Sequence, residues 1–276
     1  MTYAETVLSF AQLAQQKSRH LRTDSLAFLI LALKAGAFVG AGILLIFSVG
    51  QGVEGAFRPI VMGASFGIAL TLVVFAGGEL FTGHTMYMTH GLLTGRSRLA
   101  DLLRCWAASW GGNLGGALLL ALLFTAGGGG LILGAGEDAL LYKVAAKKMH
   151  APALQLFARA ILCNWLVCLA LWCSARAKDD VTKCIVIFWC LYAFIAAGFE
   201  HSVANMTVFS VALLSDHPDS ISLAGAAHNL TFVTLGNAFA GVVIMGYGYW
   251  RAASRPRVQT ALAPQAANGA AEHGGR

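Results

Sequence analysis

The chain has 276 residues, 57% of them hydrophobic and 12% charged, with a formal net charge of +6 and a mean hydropathy of +0.68. That is more apolar surface than a soluble core of this length can bury, so a soluble enzyme is excluded and a multi-span membrane protein is expected. Nucleic acid is excluded as a partner because the basic residues are not interleaved with aromatic ones.

From Met1 to Asp24 the chain is polar, with an apolar stripe at Val7, Leu8, Phe10, Ala11 and Leu13. This predicts a short amphipathic helix and not a cleavable secretory signal. Such a helix either lies on the cytoplasmic face of the bilayer or packs against the bundle; residues 1–25 are read as a cytoplasmic N-terminal segment. Apolar runs of the length a bilayer demands follow at Leu26 to Val49, Pro59 to Met88 with a break, Leu102 to Phe124, Leu154 to Ala175, Cys184 to Leu214 with a break, and Ala226 to Trp250. They predict an all-α membrane protein with six transmembrane helices, a channel domain over residues 26–251. Beyond it, residues 252–276 are rich in Ala, Pro, Gly and Gln and are expected to form a disordered cytoplasmic tail.

The six spans divide three and three around a polar connection from Gly127 to Pro152. An odd number of spans per half forces the second half to be inverted. Gly112-Asn113-Leu114-Gly115-Gly116 is echoed by Gly236-Asn237-Ala238-Phe239-Ala240, and Gly77-Gly78-Glu79 by Gly198-Phe199-Glu200, at separations of 124 and 121 residues. Gly112/Gly116 and Gly236/Ala240 are small residues four apart, which lets helices approach closely. The expected fold is therefore an inverted 3+3 repeat with two broken helices, aquaporin-like in plan.

Thirteen of the nineteen Lys and Arg residues, from Lys17 through Arg96, Arg176, Lys178, Lys183 and Arg251, fall on one side of that topology. Five fall on the other, Arg58, Lys143, Lys147, Lys148 and Arg159, and Lys34 lies inside a span. Positive flanks stay cytoplasmic, so both termini are expected in the cytoplasm. The six cysteines show no zinc spacing and are read as small packing residues. His84, Met86, Met88 and His90 spread over several helix faces, so metal binding is not expected. No cofactor is implied.

The two breaks carry the chemistry. An ionisable group deep in a membrane costs at least ~2.5–3.5 kcal/mol on insertion scales, so Glu79, Glu200 and His201 are expected to face a protein interior or a water-filled path. Paired discontinuous helices bring half-helix ends together near the bilayer midplane, where a solute binds. His201 is the main candidate, Thr82 its counterpart in the other half. Glu79 and Glu200 read as buried acceptors that tie down loop amides, and Asn164 as an interhelical hydrogen-bonding amide. Phe66, Leu70, Leu80, Phe81 and Phe194 are bulky enough to constrict a path, although packing alone also explains them. Gly63-Ala64-Ser65-Phe66-Gly67 fits a serine nucleophile pattern, but an elbow of that kind needs a strand before it.

The stretches Gly55 to Pro59, Gly78 to Met86, Cys163 to Ala170, Glu200 to Met206, and Gly236-Asn237 with Gly246 to Trp250 closely resemble the formate/nitrite transporter family, especially its nitrite channel branch. The resemblance covers nearly everything from Leu26 to Trp250. It implies a homopentamer in the inner membrane in which every protomer has its own pore. By motif position it implies that His201 is the pore histidine, Thr82 the loop threonine, and Asn164 the asparagine of the fourth span. Phe66, Leu70, Leu80, Phe81 and Phe194 would be the constriction residues, Lys148 the outer-vestibule lysine with Lys147 beside it, and Lys17 a weaker match to a cytoplasmic lysine. Glu79-Leu80-Phe81-Thr82 leans towards nitrite, with formate secondary. Transient protonation of a weak acid near His201 would lower the barrier in the dry stretch; a plain anion pathway is the other route. Two further readings are a neutral-solute channel of aquaporin type, although the five prolines make no Asn-Pro-Ala box, and an intramembrane serine protease centred on Ser65.

Overall fold

The computed structural model describes residues 2–253, and among them the chain is helical throughout with no strand. The tail expected from residue 252 lies outside the described residues from 254 onward. α1, Tyr3–Thr23, opens with a capping box in which the Thr2 hydroxyl accepts the Glu5 amide and the Glu5 carboxylate accepts the Thr2 amide. The helix is longer than the stripe suggested, and its Val7, Phe10, Ala11 and Ala14 are buried. It packs on the bundle: the Phe10 ring stacks 5.0 Å from Tyr87 and lies 5.7 Å from Trp172.

Among the described residues, five helices are long and apolar enough to cross a membrane. They are α2 (Ser25–Gly50), α3 (Phe57–Gly77), α5 (Leu99–Ala126), α7 (Ala153–Arg176) and α10 (Leu223–Ala252). α4, Phe81–Leu93, completes the first broken segment after α3. The second is divided between α8, Asp180–Ala196, of 17 residues and α9, Ser202–Leu213, of 12; neither reaches the roughly 20 residues of a full crossing. The connection from Gly127 to Pro152 is not simply polar. It contains α6, Leu140–Met149, whose Leu140, Leu141, Tyr142, Ala145 and Met149 are buried. This helix is held at one end of the bundle by Leu140 N donating to Gln51 Oε1 at 2.8 Å and Tyr142 Oη donating to Ser215 Oγ at 2.9 Å. At the other end, Arg176 reaches the Thr6 hydroxyl of α1 at 3.0 Å.

The breaks are built alike. Gly77 (φ +82°) and Gly198 (φ +71°) adopt the left-handed conformation that favours glycine, and extended residues then lead into α4 and α9. The turn before α4 is thus made by Gly77. Gly83, close by in sequence, lies inside α4, where a Cβ would meet Leu171 at 3.0 Å and Tyr87 at 3.3 Å.

Backbone groups freed by a break at membrane depth need protein partners, because lipid offers none. Asn113 of α5 supplies them for the first: its Nδ2 donates to Ala32 O (2.8 Å) and Glu79 O (3.0 Å), and its Oδ1 accepts from Phe81 N (2.9 Å). Asn237 of α10 does the same for the second, with Ala160 O (2.8 Å), Glu200 O (3.0 Å) and Ser202 N (2.9 Å). These matched triplets give the two halves the same plan. They also explain the neighbouring glycines. A Cβ on Gly36 would fall inside the Asn113 carbonyl, and one on Gly236 would press on Phe157 O.

Candidate functional site

α4 and α9 start from opposite halves and present their first turns to each other. His201 is the N-cap of α9: its Nδ1 accepts the Ala204 amide at 3.1 Å. With that lone pair occupied, the neutral ring carries its proton on Nε2, which lies 3.1 Å from Thr82 Oγ1. Thr82 accepts, and its own hydroxyl proton remains available to a third group. In this state the ring is a hydrogen-bond donor and not a proton source, since taking Nε2–H from neutral imidazole would leave an imidazolate. A second proton on the ring requires Nδ1 to give up the Ala204 amide. Both residues are buried, Thr82 at 0% and His201 at 4% exposure.

A narrow cavity sits against His201, lined by Phe66, Leu70, Leu80 and Phe194 among others; Thr82 is behind its wall and meets it through His201. Its volume of about 10 Å³ is that of a single water site, so the passage is constricted. Phe66 and Phe194 meet edge to face at 5.5 Å, and Phe194 stacks on His201 at 6.0 Å. The structure therefore gathers four of the five bulky residues with the histidine. Phe81 is elsewhere, edge to face with Trp106 at 5.9 Å. Asn164 is not on this cavity: its Nδ2 donates to Asn237 O (2.6 Å) and Thr85 Oγ1 (3.0 Å), which ties α7 to α10 and α4.

The two glutamates do not tie down loop amides; Asn113 and Asn237 do that work. Each glutamate holds a lysine instead. Glu200 Oε2 accepts Lys148 Nζ at 2.8 Å and Asn205 Nδ2 at 2.6 Å. Glu79 Oε2 accepts Lys17 Nζ at 2.5 Å and lies 2.7 Å from His84 Nε2. Asn205 continues to Asn229 Oδ1 (2.8 Å), and Asn229 to Lys148 O (2.9 Å). On the α6 side, Lys147, Lys148, Arg159 and Glu200 line a second cavity of about 290 Å³. Of the paired lysines, Lys148 takes the carboxylate and Lys147 stays exposed on the same cavity.

Sequence reasoning missed Asn113, Asn237, His84, Asn205 and Asn229. The echo of Gly-Asn at 124 residues beside Gly-x-Glu at 121 was the usable signal, because it pairs each asparagine with one break. The nucleophile pattern fails structurally: Ser65 Oγ donates to Val61 O at 2.9 Å within its own helix, and among the described residues there is no strand to form an elbow.

Buried polar groups beside an apolar constriction, on broken segments from two matched halves, fit a multi-pass membrane transport protein. The chain belongs to the formate/nitrite transporter family, whose description, "Formate/nitrite transporter", matches residues 4–251. It is 45% identical over 268 residues to the nitrite transporter NirC of Salmonella typhimurium (strain LT2), covering 96% of this chain and 98% of that one. Among solved structures it is similar to an FNT family ion channel (TM-score 0.87, 47% identity, 90% of this chain and 98% of that one). It is also similar to a pentameric formate channel with formate bound (TM-score 0.69, 28% identity, 82% and 96%).

Proposed function

We propose that this protein conducts small monovalent anions across the inner membrane, chiefly nitrite with formate secondary, through a pore inside each protomer of a homopentamer. The observation that carries the reading is the buried Thr82–His201 pair, 3.1 Å apart where the two broken segments meet, with the His201 ring on the constriction. Nitrite and formate are named because relatives and a structural neighbour carry those names. The pentamer rests on the neighbour as well.

An anion approaching from the α6 side meets Lys147, Lys148 and Arg159, which raise its local concentration. It passes the Lys148–Glu200 pair and reaches the apolar ring of Phe66, Leu70, Leu80 and Phe194. There the Thr82 hydroxyl, polarised by His201, donates to it, and the N-terminal turn of α9 offers a favourable dipole. Lys17, Glu79 and His84 flank the path on the opposite side. Proton coupling at His201 requires a second proton on Nδ1, or a solute that brings its own. Asn164 and Phe81 support this site from behind, holding the helices that carry Thr82.

The orientation follows the thirteen-to-five charge split: both termini and the Arg176 loop are cytoplasmic, and α6 is outside. Residues 1–25 form the cytoplasmic segment, 26–251 the channel, and 252–276 a cytoplasmic tail. Purified protein in liposomes, challenged with nitrite, formate, chloride and glycerol gradients at several pH values, tests the function. Nitrite and formate flux is expected without glycerol flux; glycerol flux alone would replace the proposal with a neutral-solute channel.

A further inference from the structure

The 290 Å³ cavity holds a cation that the path described so far uses only as charge. Arg159 lies in the second turn of α7, half-buried. Its main-chain carbonyl accepts the Glu200 amide at 3.4 Å and so helps to hold the break. The side chain is not needed for that bond. Lys148 is engaged by Glu200, whereas neither Arg159 nor Lys147 has a carboxylate within salt-bridge distance among the described residues. The guanidinium has one long contact, Nη2 to Gln155 Oε1 at 3.4 Å, which leaves most of its five N–H groups for a ligand.

The other half of the repeat shows that a cation here is not demanded by the fold. Glu79 N donates to Leu31 O at 3.2 Å just as Glu200 N donates to Arg159 O, so Leu31 occupies the equivalent place. A cation on a cavity wall with no carboxylate partner is placed to meet an anion. The cavity has room for several waters at about 30 Å³ each, enough for a small anion that has not yet lost its hydration.

We propose that Arg159 is a specificity residue at the outer mouth, selecting anions that carry two oxygens on one atom. Two parallel N–H groups of a guanidinium match the O–N–O edge of nitrite and the O–C–O edge of formate, while a halide offers one spherical contact. The anion is loaded edge-on at Arg159, with Lys147 supplying undirected charge, and then passes to Lys148. This rests on the anion-channel reading above and names a source of its selectivity.

The test is currents from proteoliposomes under nitrite, formate or chloride jumps, for wild type, Arg159→Lys, Arg159→Leu and Lys147→Gln. Arg159→Lys keeps the charge and loses the fork. Its half-saturating nitrite concentration is expected to rise about three- to tenfold, with maximal current within about twofold and a falling nitrite-to-chloride preference. Arg159→Leu should lose that preference too, and Lys147→Gln should weaken both anions alike. If Arg159→Lys overlays a wild type that carries nitrite, Arg159 is a point charge only and the inference falls while the channel reading stands. A wild type carrying neither nitrite nor formate overturns both. Should the Arg159 variants fail to assemble, competition in wild type decides: formate must suppress nitrite current more strongly than chloride does, and equal suppression overturns the inference.

Discussion

Asn113 and Asn237 make the same three hydrogen bonds in opposite halves of the chain, each donating to two main-chain carbonyls and accepting the first amide after a break. Neither amide is exposed. One side chain per half, together with a main-chain carbonyl of a neighbouring helix, Leu31 O or Arg159 O, therefore pairs groups that an unbroken ladder would have paired.

Replacing either by Ala should leave two buried backbone groups at its break without this partner, Glu79 O and Phe81 N or Glu200 O and Ser202 N, at about 1–3 kcal/mol each; Ala32 O and Ala160 O sit inside α2 and α7 and keep the helical bond. Asn113→Ala and Asn237→Ala are expected to lower the thermal unfolding midpoint in detergent by similar amounts. Asn→Asp should be nearly as harmful, since it removes both donors. An unchanged midpoint in either half would show that water or relaxation fills the role.

Thr82→Ala should reduce nitrite flux at every pH by about ten- to a hundredfold, the value of one hydrogen bond to a charged group. Thr82→Ser retains the hydroxyl and most of the flux. Equal flux in Ala and Ser variants would remove Thr82 from the path.

His201→Asn keeps a polar group of similar reach and cannot titrate near neutrality. The variant is expected to assemble, with a nitrite flux whose pH response is lost or sharply altered. If its normalised pH profile in liposomes overlays wild type, His201 serves as the neutral hydrogen-bond donor to Thr82 and carries no proton for the solute.

Lys148→Met should destabilise the protein more than Glu200→Gln. The first leaves a carboxylate at 3% side-chain exposure without its cation; the second leaves a lysine at 19% that can turn to water. Unfolding in detergent checks the order, and the reverse order would contradict the burial argument.

A cysteine placed at Asp179 in a cysteine-free background should react with impermeant thiol reagents only from the cytoplasmic side, because Arg176, Lys178 and Lys183 surround it. Labelling from outside intact cells would invert the topology.

Membrane character, broken segments and inverted halves were legible in the sequence because each follows from a one-dimensional quantity: run length, the placing of Gly and Glu in apolar stretches, and the parity of spans. His201 and Thr82 were legible for the same reason, as polar residues where polarity is costly. The motif resemblance added the ring of Phe66, Leu70, Leu80 and Phe194, which hydropathy could not separate from ordinary packing.

What the sequence left open depends on partners distant along the chain. Gly83 and Gly77 read alike until the backbone shows which has positive φ. Glu79 could tie an amide or a lysine, and Lys17, 62 residues earlier, takes it only because α1 docks on the bundle. Lys147 and Lys148 are chemically identical neighbours, and the pitch of α6 turns Lys148 to Glu200. Local composition sets which residues must find partners in a membrane; only the packed bundle decides which partners lie within about 3 Å, the reach of a hydrogen bond.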